Sequence, residues 1–451
     1  MTGQGRPNIL LITCHDLGRF LGTYGIATVR TPALDALAAD GVHFTRAFCT
    51  APQCSPSRAS LFTGRYPHSN GVLGLTHAEF SWDLGPHERH LGQILREAGY
   101  TTALMGVHHE SRGGSPAAVA ARCGMDTVIL GGRGEDVSDA ALAWLGDVAR
   151  GDRPFYLQLG YHEPHRVRAM AREESGYMGF IGDSIAPDDA RGVTIPPYLA
   201  DTVGAREELA ELQGAVRALD AAVGRVLAGL RDLDLEGGAI VLFTTDHGVA
   251  LPRAKCSLYD PGLETALLLR YPARGWRGGR VIDALTSSVD LCPTLLEAVG
   301  LPVSARMQGR SLLAALDGAP FAPRGAIFGE MTYHDYYDPR RCIRTERHKL
   351  IVNFSAAPAF MDPSQSWRRR SVTVVPPDPA LAYHPLLELY DLADDPYEWR
   401  NLADEPTVAE VRRDLLARLH RWMADTDDPL LIGAVTPPLH HRALEALVGE
   451  R

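Results

Sequence analysis

Cys54 stands in the run Cys54-Ser55-Pro56-Ser57-Arg58-Ala59-Ser60-Leu61-Phe62-Thr63-Gly64, which brings a thiol, an anion site and a cation within one helical turn. Pro56 is pre-set for a first helical turn, so residue 54 falls at a helix N-terminus where backbone N–H groups favour an anion. Arg58, one turn on, would face the same anion. The plainer use of these residues is a small buried cysteine ahead of a surface helix. Two further pairs sit at strand ends. His15-Asp16 closes the apolar run Asn8 to Thr13, and Asp246-His247-Gly248 follows the apolar run Ala239 to Thr244. Ligands of open α/β sheets bind beyond the carboxyl ends of the strands, so these two pairs can converge on one divalent cation. Turn formation or helix capping is the alternative use of Asp16 and Asp246.

Three more segments carry imidazole and ammonium groups: Gly106-Val107-His108-His109, His162-Glu163-Pro164-His165-Arg166, and Arg253-Ala254-Lys255-Cys256-Ser257-Leu258-Tyr259-Asp260-Pro261-Gly262. Taken with these, the complete eleven-residue run at Cys54 resembles the signature at which type I sulfatases convert a cysteine to formylglycine. The resemblance implies that the reactive group is the hydrated aldehyde, one hydroxyl attacking sulfur and the other, once deprotonated, expelling the bound sulfate. It further implies a divalent ion held by Asp16, Asp246, His247, residue 54 and His15, where the family carries an Asp-Asp pair and an Asp-Asn or Asp-His pair. His15 replaces an oxygen ligand by nitrogen, which moves the expected ion from Ca²⁺ toward Mn²⁺ or another transition ion. Arg58 would help hold the hydrate ionised. His109 maps onto the family's active-site histidine and His165 onto its sulfate-contacting histidine. Lys255 maps onto the lysine that binds the sulfuryl group, and Val107 stands where the family has another lysine.

The resemblance runs on into the C-terminal part, through Leu387-Glu388-Leu389-Tyr390-Asp391-Leu392, the turn Asp395 to Leu402 and the ending Asp425 to Pro429. Within the family it looks most like the heparan N-sulfatase (sulfamidase) branch and its bacterial relatives. Glu330 to Arg344, rich in Tyr, His, Asp and Arg, is the segment expected to choose the substrate, or else an exposed polar loop.

The elements that must position these residues alternate in the manner of a doubly wound α/β protein. Strands are expected at 8–13, 101–105, 155–160, 239–244 and 266–271, and helices from Pro32 to Gly41, at 89–98 and at 137–149. A long amphipathic helix is marked by Leu209, Leu212, Val216, Leu219, Val223, Val226 and Leu230. Farther on come strands at 347–354 and 387–392 and a helix after Pro406 with Val408, Val411, Leu415, Leu419 and Trp422 on its packed face. Ser355 to Pro379 reads as low in order. The expected fold is alkaline-phosphatase-like, a large mostly parallel sheet flanked by helices over residues 1–325. A smaller α+β subdomain with a small antiparallel sheet and a helix would occupy residues 326–451.

Composition bounds the function. The 451 residues are 22% charged and 45% apolar, and no apolar run approaches the roughly 18 residues of a membrane span. A net charge of −10 argues against nucleic acid as a partner. The amino-terminal residues lack the apolar stretch of a secretory signal, so a cytoplasmic location is expected. Seven scattered cysteines with no CxxC pair suggest reduced thiols. Only Lys255 and Lys349 are lysines among 45 basic residues, and either could be a solvated surface charge. The expected activity is hydrolysis of a sulfate ester or sulfamate, with sulfated sugars as the expected substrates, after maturation by a formylglycine-generating enzyme, and a homodimer is a candidate assembly. The alternatives are a phosphonate or phosphate ester hydrolase of the same superfamily, a thiol hydrolase using unmodified Cys54 with His109 or His165, and a silent binder of sulfated ligands.

Overall fold

The computed structural model describes residues 5–77, 80–168, 178–356, 371, 373–374 and 383–449. Most of the expected low-order segment from 355 to 379 lies outside these residues.

Strand β1 (Asn8–Cys14) is apolar at successive positions because both of its faces are covered. Leu10 and Ile12 pack on one side with the long helix, and Ile9 and Leu11 pack on the other with Leu61 and Phe62. Around β1 the chain builds an eight-stranded sheet from β2 (Val42–Phe44), β3 (Thr101–Gly106), β4 (Thr127–Leu130), β5 (Phe155–Gly160), β6 (Ala239–Thr245), β7 (Leu267–Arg270) and β8 (Arg280–Ile282). The order across the sheet is β8-β2-β7-β6-β1-β5-β3-β4. The run from β6 to β4 is parallel throughout, whereas β7 is antiparallel to both its neighbours, so the sheet is mixed but mostly parallel.

Helices α1 (Pro32–Asp40), α2 (Cys54–Thr63), α3 (Leu91–Glu97), α4 (Gly134–Val148), α5 (Val203–Asp232) and α6 (Leu291–Ala298) flank the sheet. Thr202 caps α5 by accepting the Ala205 N–H, and all seven of its expected apolar positions are fully buried. Helix α2 differs. Its ten residues are all buried although five of them are Ser, Thr or Arg, which excludes the surface-helix reading. No helix among the described residues is long and apolar enough to cross a membrane. All seven cysteines are free thiols and buried.

The C-terminal part adds a four-stranded antiparallel sheet, β9 (Ile327–Tyr333), β10 (Tyr337–Arg344), β11 (His348–Asn353) and β12 (Leu387–Asp391), covered by α7 (Ala409–Asp425). A last helix, α8 (Pro438–Val448), follows.

Two expectations fail here. Glu330 to Arg344 is not an exposed loop but the β9–β10 hairpin. Its polar groups are held internally: Glu330 meets His68 at 2.9 Å, Arg341 meets Asp428 at 3.0 Å, and Arg344 meets Asp260 at 3.0 Å. The partners of these polar residues lie far away in sequence, so a local pattern does not show that they are buried. Nor is Lys349 a surface charge. It is fully buried on β11, 2.6 Å from Asp260 and 2.8 Å from Glu398.

Candidate active site

Strand register delivers the chemistry. Cys14 pairs with Thr245, and Thr13 and Gly106 both pair with Gly160, so β1, β6, β5 and β3 end side by side. The residues that follow, His15-Asp16, Asp246-His247, His162 to His165 and Val107 to His109, therefore leave the sheet at one edge. Close passage of these turns needs small or left-handed residues. Asp16 has a φ of 52°, and a side chain on Gly160 would bring its Cβ to 2.2 Å from the Val107 carbonyl oxygen.

Cys54 opens α2. Gln53 is extended at the cap, the Ser57 N–H donates to its carbonyl at 3.1 Å, and the helix directs its first N–H groups past the thiol. The Cys54 Sγ lies 3.4 Å from His247 Nε2. Burial, reinforced by the Asp16 and Asp246 carboxylates and opposed by Lys255 and Arg58, pushes this thiol up to about 12.

The two carboxylates anchor everything else. Asp246 accepts the Asp16 N–H at 3.0 Å and its own neighbour's N–H, from His247, at 2.9 Å. Its other oxygen lies 2.8 Å from His15 Nδ1 and 3.3 Å from Arg58 Nε. Asp16 receives both its contacts from Lys255 Nζ, at 2.8 and 2.9 Å, with His247 Nε2 at 3.2 Å and His165 Nε2 at 3.8 Å. Burial opposes the ionised form of Asp16, but the Lys255 ammonium against it leads the charges that outweigh burial and hold the carboxyl below its usual range. Asp246 is likewise held below its usual range, against burial.

The imidazoles are arranged as ligands rather than as cations. His247 Nδ1 faces the Gly248 carbonyl at 2.9 Å and His165 Nδ1 faces the Arg166 carbonyl at 2.7 Å. A carbonyl can only accept, so Nδ1 carries the proton in each ring and Nε2 presents a lone pair toward Asp16. Burial lowers all four site histidines: His15 to about 4, His109 and His165 well below their ordinary value, and His247 below it. His15 Nε2 is buried with no hydrogen-bond partner. Neutral lone pairs aimed at two ionised carboxylates repel unless a cation lies between them. The residues thus fit a divalent ion, and two overlapping sets, Asp16-Cys54-Asp246-His247 and His15-Asp16-Cys54-His165, each gather ligand atoms within 4.8 Å of one another.

Arg58 is completely buried and reaches Thr13 Oγ1 at 3.0 Å and the Cys14 carbonyl at 3.3 Å besides Asp246. Its contacts are with the end of β1 and the Asp246 carboxylate, so it positions Asp246. Lys255 rides on a tight loop in which Arg253 and Cys256 are left-handed, with φ of 66° and 61°. The Cys256 N–H donates to the Pro52 carbonyl at 2.9 Å, tying this loop to the segment that enters α2. Arg253 stacks over Tyr259 and Trp399, 3.9 and 4.2 Å from the ring centres, which fastens the loop to the C-terminal turn. His109 joins through its ring, 5.0 Å from that of His15.

The sulfatase family profile matches residues 7–301, more than half of the molecule. The chain belongs to the sulfatase family. A second profile, that of the N-sulphoglucosamine sulphohydrolase C-terminal region, matches residues 253–362. Human N-sulphoglucosamine sulphohydrolase is 31% identical over 476 aligned residues, covering 94% of this chain and 92% of its own. An ulvan-active sulfatase of Formosa agariphila is 27% identical, covering 94% and 76% respectively. A solved sulfatase-type structure from Bacteroides fragilis superposes with a TM-score of 0.73 at 19% identity, over 97% of this chain and 99% of that one, a likeness of fold. The protein is accordingly a sulfuric ester or sulfamate hydrolase with the alkaline-phosphatase-like fold.

The structure of this sulfatase brings Cys54, Arg58, Lys255, Asp16, Asp246, His247, His15 and His165 into one connected cluster, with His109 against it. It adds residues that the sequence did not single out. His162 lies 5.0 Å from the His165 ring and His77 lies 4.6 Å from the His109 ring. Glu110 accepts the His109 N–H at 2.9 Å and the Gln158 side-chain N–H at 2.6 Å, fixing the loop that carries His109. His162 had a signal, three residues before His165 in the same turn. His77 had none.

Proposed function

We propose that this sulfatase hydrolyses a sulfate ester or sulfamate of a sugar, through a formylglycine made from Cys54 and a divalent ion held by Asp16, Asp246, His247 and His15. The observation that carries this reading is the state of residue 54. It opens helix α2 inside the donor set, 3.4 Å from His247 Nε2, at a buried position that disfavours the free thiolate. That combination argues against the thiol hydrolase and for an oxygen nucleophile installed at the same position.

When present, the hydrated aldehyde supplies the attacking hydroxyl, and the ion supplies Lewis-acid stabilisation of developing negative charge. The chain's own residues then have distinct tasks. Arg58 holds Asp246 ionised and in place from behind the sheet edge. Lys255, fixed on Asp16, offers an ammonium to the sulfuryl oxygens and assists the leaving group together with His165. His109, kept neutral by burial and with Nδ1 lacking a hydrogen-bond partner, accepts the proton whose removal releases sulfate. Val107, buried and apolar, leaves the site one positive charge short of the family pattern, which suits a sulfuryl monoanion better than a phosphate dianion.

Sulfate release from glucosamine N-sulfate and from 4-nitrophenyl sulfate, measured with and without EDTA, tests the reading. The expected result is release from the N-sulfated sugar that chelation abolishes. Release confined to phosphonate or phosphate esters would replace this function with that of the phosphonate and phosphate ester hydrolases.

A further inference from the structure

Next to His109 the surface opens into a cleft of about 530 Å³ whose walls include Thr76, His77, Ser81, Arg112 and Arg442. Its floor belongs to the reaction site. Thr76 Oγ1 bonds the His109 carbonyl at 3.1 Å and lies 3.2 Å from the hydroxyl of Ser55, the residue after Cys54. Whatever group departs from sulfur near His109 has this space to enter.

The walls carry two guanidinium groups that form no ion pair with a carboxylate among the described residues. Most arginines here pair with a carboxylate, as do Arg58, Arg166, Arg274, Arg324 and Arg341. Arg112 is exposed, and its guanidinium has no partner among the described residues. Oδ1 of the nearby Asp83 accepts the backbone N–H groups of Leu84 and Arg112, and no ion pair joins that carboxylate to the Arg112 guanidinium. Arg442, on α8, donates to the Ser81 hydroxyl at 3.3 Å and forms no ion pair among the described residues. Two guanidinium groups from distant parts of the chain, neither in an ion pair among the described residues, thus border one cleft in a protein of net charge −10. Each offers a planar fork that matches an oxyanion.

We infer that Arg112 and Arg442 form a subsite for a second anionic group, a sulfate or carboxylate carried on the leaving sugar, so that this sulfatase prefers polyanionic saccharides to singly charged ones. The inference rests on the proposed function, because the cleft matters only if the group bound there leaves through it. The arginines are specificity residues: they would anchor the leaving portion without touching the reacting atoms.

The test compares the full-length parent protein with Arg112→Ala, Arg442→Ala and Arg442→Lys. Turnover is measured on glucosamine N-sulfate, glucosamine N,6-O-disulfate and an N-sulfoglucosamine–hexuronic acid disaccharide. Calorimetric affinity is measured for glucosamine 6-sulfate, a probe that needs no turnover. Each alanine variant is expected to raise KM for the disulfate or for the disaccharide, and Kd for the probe where sulfate is the preferred group, by roughly tenfold, with kcat and all constants for the monosulfate unchanged. Arg442→Lys should recover part of the loss. The disulfate and the disaccharide tell sulfate from carboxylate as the preferred second group. If parent and variants bind and turn over every anionic probe alike, or if the parent binds none, the subsite does not exist. An inactive parent whose probe affinity still falls in both alanine variants would instead overturn the catalytic reading and leave the subsite standing.

Discussion

The protein's two lysines are both buried and both paired with carboxylates, yet their surroundings differ in kind. Lys349 donates to the Leu258 carbonyl at 2.9 Å and faces Asp260 and Glu398, while Arg344 holds the far side of Asp260. Each carboxylate of this cluster has a cation beside it, and the cluster joins the lysine loop of the main sheet to the C-terminal sheet. Around Lys255 the balance is broken. Imidazole lone pairs of His247 and His165 point at the same Asp16 that Lys255 holds, and His15 Nε2 has no hydrogen-bond partner among the described residues. Buried charge therefore does not by itself mark a reaction site here. Unmatched donor atoms around buried charge do, because nothing in folding repays their desolvation unless a ligand completes them.

The largest effects should come from removing the carboxylates on which that imbalance centres. Asp16→Ala and Asp246→Ala are expected to lose both bound divalent ion, by metal analysis of purified protein, and turnover. Full metal content in both variants would displace the site from this edge of the sheet. Lys255→Ala should lower kcat by about a hundredfold or more with the fold intact, and Lys255→Arg should recover only part of it, since a planar fork cannot replace a compact ammonium. Near-native kcat in Lys255→Ala would remove Lys255 from the chemistry.

Lys349→Ala should reverse that pattern, lowering stability by about 3–5 kcal/mol by leaving Glu398 without its cation and Asp260 with Arg344 alone, with kcat of the folded fraction unchanged. Its deficit should depend on pH. Burial pushes Glu398 up to about 7 even against Lys349, so its ionised form is the disfavoured one in the folded protein. Stability from this group is present below its ordinary value of 4.5 and is lost as pH rises through about 7. The variant, with the opposing lysine gone, should be weakest relative to the parent above pH 7 and should recover as Glu398 protonates below it. Chemical denaturation at pH 8 and pH 5.5 measures this, and an equal deficit at both would show that Glu398 does not titrate as described.

Much of the scaffold was legible because its signals are local. The seven apolar positions of α5 repeat at helical spacing and all are buried, and the strand runs at 8–13, 155–160 and 239–244 lie within one residue of β1, β5 and β6. Short strands such as β2 and β8, three residues each, carry too little period to be seen, and the reversed direction of β7 is set by register with its neighbours. The site was legible where chemistry-bearing residues follow strong strands, as at Asp16, Asp246 and His165. It was not legible where the partner is remote in sequence. Thr13 as a brace for Arg58 and His77 beside His109 depend on three-dimensional proximity alone, and so does the burial of Lys349 and of the Glu330 to Arg344 hairpin.

The central claim concerns residue 54, and mass spectrometry of the peptide that spans it is the most direct measurement. Protein purified from a host with the maturation enzyme should yield that peptide about 18 Da lighter than its sequence mass, in proportion to the specific activity of the preparation. Recovery of an unmodified, alkylatable Cys54 from a fully active preparation would contradict the account and return the chemistry to the thiol.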